Sequence, residues 1–279
     1  MKIAVLSGKG GTGKTFVSVN LAYVCRDAEY IDCDVEEPNG FLFLKPESIT
    51  EEQVFLSYPS FDAEKCVGCQ KCADFCQYNA LAYIKDKPML FPDICHFCGG
   101  CILVCPNDAA AESKRQIGVI RHGYRKGMKA AAGVLNTGET FAMPVVKSAL
   151  RFADSNKGIC IIDCPPGSGC QVQECIAYAD YCILVAEPTE FGFHNFRMVY
   201  KLISMMGKPC CVIINKEEEP FEKLDKFCEE NHIEILLRIK YDQEAAELCS
   251  AGVLAGESNQ RIKEIFVPAA EFLEQRAEI

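Results

Sequence analysis

The chain has 279 residues, 49% hydrophobic and 24% charged, an ordinary balance for a folded chain that excludes extensive disorder. Its 29 basic against 39 acidic side chains leave a formal charge of −10, which disfavours non-specific binding to nucleic acid or an anionic membrane. No apolar run reaches the 18 or so residues of a membrane span, and Met1 to Leu6 reads as a strand rather than a signal peptide, so the expected location is the cytoplasm.

The first predicted element is a buried strand at Lys2–Leu6, followed by a helix over 15–25. Residues 117–152 read as a glycine-rich strand–loop–helix. Further strands are expected over 158–163, 182–186, 210–215 and 233–238, with helices at Cys170–Tyr178, 194–206, 221–231 and 243–251. Continuous apolar strands alternating with helices predict an α/β fold, a mostly parallel sheet covered by helices on both faces. The amphipathic stretch 260–276 reads as a docked helix rather than a membrane anchor.

Residues 59–112 break this rhythm. Eight of the nineteen cysteines fall between Cys66 and Cys105. Cys66, Cys69, Cys72 and Cys76 recur 29 residues later as Cys95, Cys98, Cys101 and Cys105, and Asn79-Ala80 recurs as Asp108-Ala109 at the same offset. This is an internal duplication. It predicts a small domain at 59–112 inserted into a larger one made of 1–58 and 113–279. In a reducing compartment such cysteines point to metal or redox work rather than disulfides. Other cysteines, such as Cys182, Cys210 and Cys211, lie in apolar runs and read as small buried hydrophobes.

Gly8, Lys9, Gly10, Gly11, Thr12, Gly13, Lys14 and Thr15 fit the phosphate-loop pattern G-x-x-x-x-G-K-[ST], between a predicted strand and a predicted helix. Glycines let backbone N–H groups curl around phosphate oxygens, and the helix N-terminus adds positive potential. Lys14 is expected to reach the β- and γ-phosphates of ATP or ADP, and the Thr15 hydroxyl to bind Mg²⁺.

Lys9 inside the loop makes Lys-Gly-Gly-Thr-Gly-Lys-Thr similar to the deviant phosphate loop of the MinD/ParA ATPases. The nitrogenase iron protein and the Mrp-type iron–sulfur carriers belong to the same superfamily. The resemblance implies that Lys9 crosses a dimer interface to the partner's phosphates, so a homodimer is expected in the nucleotide-bound state. It extends to Ile31-Asp32-Cys33-Asp34, where Asp34 would orient or deprotonate the attacking water. In Ile161 to Gly167, Asp163 would hold Mg²⁺ through water and Gly167 would sense the γ-phosphate. Asn215, in Ile213-Ile214-Asn215-Lys216, would face adenine. Cys170 lies seven residues after Asp163, as does a cluster-bridging cysteine of the nitrogenase iron protein, and Cys175 follows. Whether these two bind a bridging cluster or are buried helix cysteines stays open.

Both cysteine repeats read C-x₂-C-x₂-C-x₃-C, the bacterial ferredoxin spacing for two 4Fe–4S clusters. Three close thiolates serve one cluster and the fourth completes the other. That assigns Cys66, Cys69, Cys72 and Cys105 to one cluster, and Cys95, Cys98, Cys101 and Cys76 to the second. Pro106 follows Cys105 as the pattern asks; Gln77 stands in the matching place after Cys76, and Gln70 replaces a common glycine. His96 reads as a solvent-side residue rather than a ligand.

Together these modules predict an ATP-hydrolysing iron–sulfur protein that couples nucleotide state to electron transfer or metallocluster assembly. Its partner would be a protein electron donor or acceptor, or a metallocluster recipient. Two readings stand beside it: a MinD/ParA-like positioning ATPase with a redox-sensing insert, and an electron carrier with a nucleotide-controlled dimer switch.

Overall fold

The computed structural model describes residues 1–153 and 158–277. Nine strands form one sheet. In chain order these are β1 (Lys2–Leu6), β2 (Glu29–Asp32), β3 (Glu47–Phe61), β6 (Ala110–Arg125), β7 (Met128–Leu135), β8 (Cys160–Asp163), β9 (Tyr181–Ala186), β10 (Cys210–Glu217) and β11 (Glu234–Lys240). Their spatial order is β11-β10-β9-β1-β8-β2-β7-β6-β3. Every pairing from β11 to β7 is parallel; β7–β6 and β6–β3 are antiparallel.

The central strands are apolar on both sides, and alternate residues feed two cores. Ala4, Leu6, Ile162, Leu184 and Val212 face one core, shared with α5 (Met143–Leu150), α6 (Cys170–Tyr178), α7 (Glu190–Met205) and α8 (Glu222–Glu230). Ile3, Val5, Ile161, Ile183 and Ile213 face the other, closed by α1 (Lys14–Val24) and α11 (Gln260–Ala277). The period of two along each strand accounts for the division. Ile262, Phe266, Ala269 and Leu273 of α11 are buried on this second core. Cys182 and Cys211 are fully buried in the strands, as expected of small hydrophobes, whereas Cys210, at the start of β10, is only half-buried. Among the described residues no helix is long and apolar enough to cross a membrane.

The 117–152 region departs from the single strand expected there. It holds the end of β6, all of β7 and α5. Lys126 and Gly127 both have positive φ, 48° and 89°. Two such residues match the right-handed twist of a tight hairpin, so the chain turns back at once into a second strand. The charged edge strand β3 was also absent from the expected elements.

β3 and β6 form a long two-stranded ribbon, paired from Glu47↔Tyr124 to Phe61↔Ala110. It runs through positions 58 and 113. Between its ends lie α3 (Lys71–Phe75), the hairpin β4 (Leu81–Ile84) and β5 (Lys87–Leu90), and α4 (Gly100–Leu103). The duplication persists in the backbone: φ is positive at Gly68 and Phe97, at Gln70 and Gly99, and at Asn79 and Asp108, each pair in matching positions. Gln70 thus keeps the left-handed conformation that glycine adopts in the other copy.

Candidate functional site

The carboxyl ends of β1, β2, β8 and β10 meet at one edge of the sheet, where ligands of open α/β folds bind. A cleft of about 450 Å³ opens there. It is lined by Lys9 to Thr15 and by Asp34, Pro166 and Asn215, with Phe43, Tyr241 and Ile262 on a more apolar side. Eight expected site residues therefore share one cavity with the phosphate loop's own Lys14.

Gly13 has φ 89° and begins the turn into α1. A Cβ there would collide with the Asn215 amide. That amide donates to the Thr12 carbonyl at 2.8 Å, and Lys216 Nζ donates to the Gly11 carbonyl at 2.6 Å. The end of β10 thus holds the loop in its curled form.

Lys14 Nζ lies 2.5 Å from Asp163 Oδ1 and 3.8 Å from Asp34 Oδ2. Burial opposes its charge, but Asp163, then Asp32 and Asp34, outweigh burial and hold its pKa above the ordinary lysine value. Asp163 is also bonded by the Tyr30 hydroxyl, at 3.0 Å. Asp32 accepts from the backbone N–H groups of Gly40 at 2.9 Å and Asp34 at 3.1 Å. Burial, then the Asp163 charge, pushes Asp32 up to about 8 against those donors and Lys14. Burial also lifts Asp34 to about 6, with Lys14 pulling the other way. The cleft therefore offers one buried cation to an anionic ligand and a half-buried carboxylate beside it. Tyr30 and Asp32 went unassigned in the sequence; their spacing of two along a strand, which puts both on one face, was the available signal.

Lys9 pairs with Glu187 of its own chain at 2.7 Å and lies 5.4 Å from the Phe191 ring centroid. Gly167, with φ 90°, donates its N–H to the Ser7 carbonyl at 2.9 Å. Cys170 is exposed at the start of α6, whereas Cys175 is buried. The Cys164 and Cys33 thiols beside Cys175 pull its thiol down to about 5 against burial.

The eight repeat cysteines line two further cavities. One is bounded by Cys66, Cys69, Cys72 and Cys105, the other by Cys95, Cys98, Cys101 and Cys76. Each takes three cysteines from one repeat and the last from the other. Backbone N–H groups point at sulfur: Ala80 at Cys76 Sγ and Phe97 at Cys95 Sγ, both 3.4 Å. Burial opposes ionisation of Cys105, but the N–H groups of Asn107, Ala110 and Ala109 outweigh it and lower its pKa. Burial instead raises Cys72, and lifts Cys101 to about 11, so binding of a metal at these thiols would release protons. Among the described residues no three His, Cys, Asp or Glu side chains converge to hold a single metal ion. His96 is exposed and stacks on Tyr78, ring centroids 3.9 Å apart.

Residues 3–254 match the CobQ/CobB/MinD/ParA nucleotide binding domain family. The chain belongs to this family. Uncharacterized protein MJ0578 of Methanocaldococcus jannaschii is 28% identical across 98% of both chains. Uncharacterized ferredoxin MJ0722 of the same organism is 36% identical over 52 residues, 17% of this chain and 68% of that protein. The septum site-determining protein MinD of Pyrococcus horikoshii, solved with Mg-ADP, superposes with a TM-score of 0.62 over 99% of this chain and 96% of its own, at 17% identity. That likeness is one of fold. Membership of the family makes this a nucleotide-binding domain.

Proposed function

We propose that this member of the MinD/ParA group hydrolyses Mg·ATP and couples nucleotide state to electron transfer or metallocluster assembly through two 4Fe–4S clusters in its 59–112 insert. The observation that carries the reading is the crossed lining of the two cysteine cavities. A ferredoxin-type pair needs each fourth ligand to come from the other repeat, and a single-ion site would need neither the crossing nor the duplication. In a cubane each thiolate binds a different iron, so its ligands surround a gap rather than converge on one point. The N–H donors at Cys76, Cys95 and Cys105 suit thiolates. Similarity to an archaeal ferredoxin over 52 residues supports the same reading.

In the cleft, the curled loop Gly8 to Gly13 offers backbone N–H groups to phosphate oxygens. Lys14 exchanges Asp163 for the β- and γ-phosphates when nucleotide enters. Thr15 and Asp163 are then free to hold Mg²⁺, which neutralises developing phosphate charge when bound. Asp34 positions the attacking water and accepts its proton, Asn215 shapes the loop beside the base, and Gly167 reports the γ-phosphate. Lys9 leaves Glu187 to reach the phosphates of a second copy in a nucleotide-bound homodimer. When loaded, the clusters supply one-electron redox chemistry. The recipient is a protein electron partner or a nascent metallocluster.

The test is iron and acid-labile sulfide content, with Mg-dependent ATPase activity, on the chain purified without oxygen. About eight irons and eight sulfides per chain support the reading. Zinc at two ions per chain, or no metal after anaerobic reconstitution, contradicts it.

A further inference from the structure

The two cysteine repeats are not equivalent in how they meet the rest of the molecule. At the second position after the first cysteine, one repeat carries Gly68 with φ 74° and the other Phe97 with φ 52°. Left-handed backbone suits glycine and is disfavoured on a bulky aromatic residue. A phenylalanine held in a glycine's conformation needs a compensating contact, and the structure supplies one. The Phe97 side chain packs against the core on the α5–α8 side of the sheet, and its ring lies 5.4 Å from the Phe141 ring at 51°. Its backbone N–H donates to Cys95 Sγ. Gly68 has no side chain to make the ring contact, and a Cβ there would meet the Tyr83 hydroxyl instead.

From Phe141 the chain runs back to Leu135, which is hydrogen-bonded to the segment beside the cleft. Val35 follows Asp34, whose carboxylate lies 3.8 Å from Lys14 Nζ. The Val35 carbonyl accepts the Leu135 N–H at 2.8 Å, and Leu135 ends the strand that leads into the 136–142 loop carrying Phe141. We propose that Phe97 is a positioning residue. It carries the geometry of the Asp34–Val35 segment to the Cys95 sulfur, so that nucleotide state alters the site of Cys76, Cys95, Cys98 and Cys101 and leaves that of Cys66, Cys69, Cys72 and Cys105 unchanged. The inference rests on the two-cluster reading above. Its physical basis is that hydrogen bonds to ligating sulfur set a cluster's potential, and a lost or lengthened N–H···S bond changes it.

The experiment is an EPR-monitored redox titration of the anaerobically reconstituted full chain, with Mg·ADP and with a non-hydrolysable Mg·ATP analogue. The wild type is compared with Phe141→Ala and Phe141→Tyr. Phe141 is 37% exposed and lies outside the nucleotide cleft, so its truncation is expected to leave iron content and nucleotide affinity in place. In the wild type one of two centres changes its oxidised-to-reduced ratio about tenfold between nucleotides at fixed potential. Cys95→Ser removes that responsive signal. Phe141→Ala cuts the response to less than threefold, and Phe141→Tyr restores it. The proposal is overturned if Phe141→Ala keeps the full response, if both centres respond alike, or if the responsive signal survives Cys95→Ser and is lost in Cys66→Ser. Two signals with no nucleotide response in the wild type overturn it too, while leaving the clusters themselves established. Absence of iron from the wild type instead overturns the two-cluster reading, and this inference with it.

Discussion

Lys14 Nζ and Asp163 Oδ1 lie 2.5 Å apart beside the cleft around the phosphate loop, from the end of that loop and the end of β8. In the proposed function the pair stores a cation for an incoming phosphate, neutralised until then by the chain's own carboxylate. Breaking such a buried pair by removing one partner costs about 3–5 kcal/mol. Lys14→Gln is therefore expected to lower the Tm of the nucleotide-free chain and to abolish stabilisation by Mg·ATP. A calorimetric scan with and without nucleotide checks both; an unchanged nucleotide-free Tm would show that the pair contributes little.

The pH dependence follows from the carboxylates around that pair. In its proposed role Asp34 must be ionised to take a proton from water, and burial lifts it to about 6. ATP hydrolysis is expected to fall as pH drops through about 6. The stability effect has the opposite sign. Asp32, lifted to about 8 first by burial and then by the Asp163 charge, binds its proton more tightly folded than unfolded. The nucleotide-free chain therefore loses stability as pH rises from about 4 to about 8. Asp32→Asn removes the part of that slope above about pH 6, whereas Asp34, itself raised to about 6, keeps a slope of the same sign below it. Urea midpoints across this range test it, and a parallel slope in the variant would assign the effect elsewhere.

Lys9 and Glu187 form a contact within one chain, 2.7 Å long and about one-fifth exposed on both sides. A lysine that serves a second copy must first leave this partner. Glu187→Gln is expected to raise the dimeric fraction with a non-hydrolysable ATP analogue by several-fold, and Lys9→Ala to abolish dimers without loss of monomer binding. Analytical ultracentrifugation reads both. A dimer that survives Lys9→Ala would remove Lys9 from the interface.

Cys105 belongs to the second repeat in sequence and to the first cavity in space. Cys105→Ser should therefore perturb the same EPR signal as Cys66→Ser, and not the one lost in Cys95→Ser. Shared loss between Cys105→Ser and Cys95→Ser would mean that each repeat binds its own cluster.

Much of this arrangement was legible in the sequence because local chemistry forces it. Gly8 to Thr15 needs a strand behind it and a helix ahead, and the apolar runs supplied both. The 29-residue repeat fixed which cysteines correspond, and matching left-handed residues show the same correspondence in the backbone. The β3–β6 ribbon was not legible. β3 is an edge strand whose first seven residues are all exposed, including Glu47, Glu51 and Glu52, so it lacks the apolar alternation that marks a strand. The hairpin at Lys126-Gly127 lay inside a stretch read as one strand and a loop. Partners distant in sequence, such as Lys9 with Glu187 and Phe97 with Phe141, leave no local signature. They follow from the sheet order, which brings the end of β9 beside the phosphate loop and the 136–142 loop beneath the cysteine repeats.

The most direct test of the account is the anaerobic redox titration of the wild-type chain, alone, with Mg·ADP and with a non-hydrolysable Mg·ATP analogue. Nucleotide-coupled clusters predict two 4Fe–4S signals, at least one displaced between nucleotides by on the order of 59 mV, a tenfold change in equilibrium for a one-electron centre. Superimposable curves in all three states would contradict coupling between the cleft and the cysteine sites.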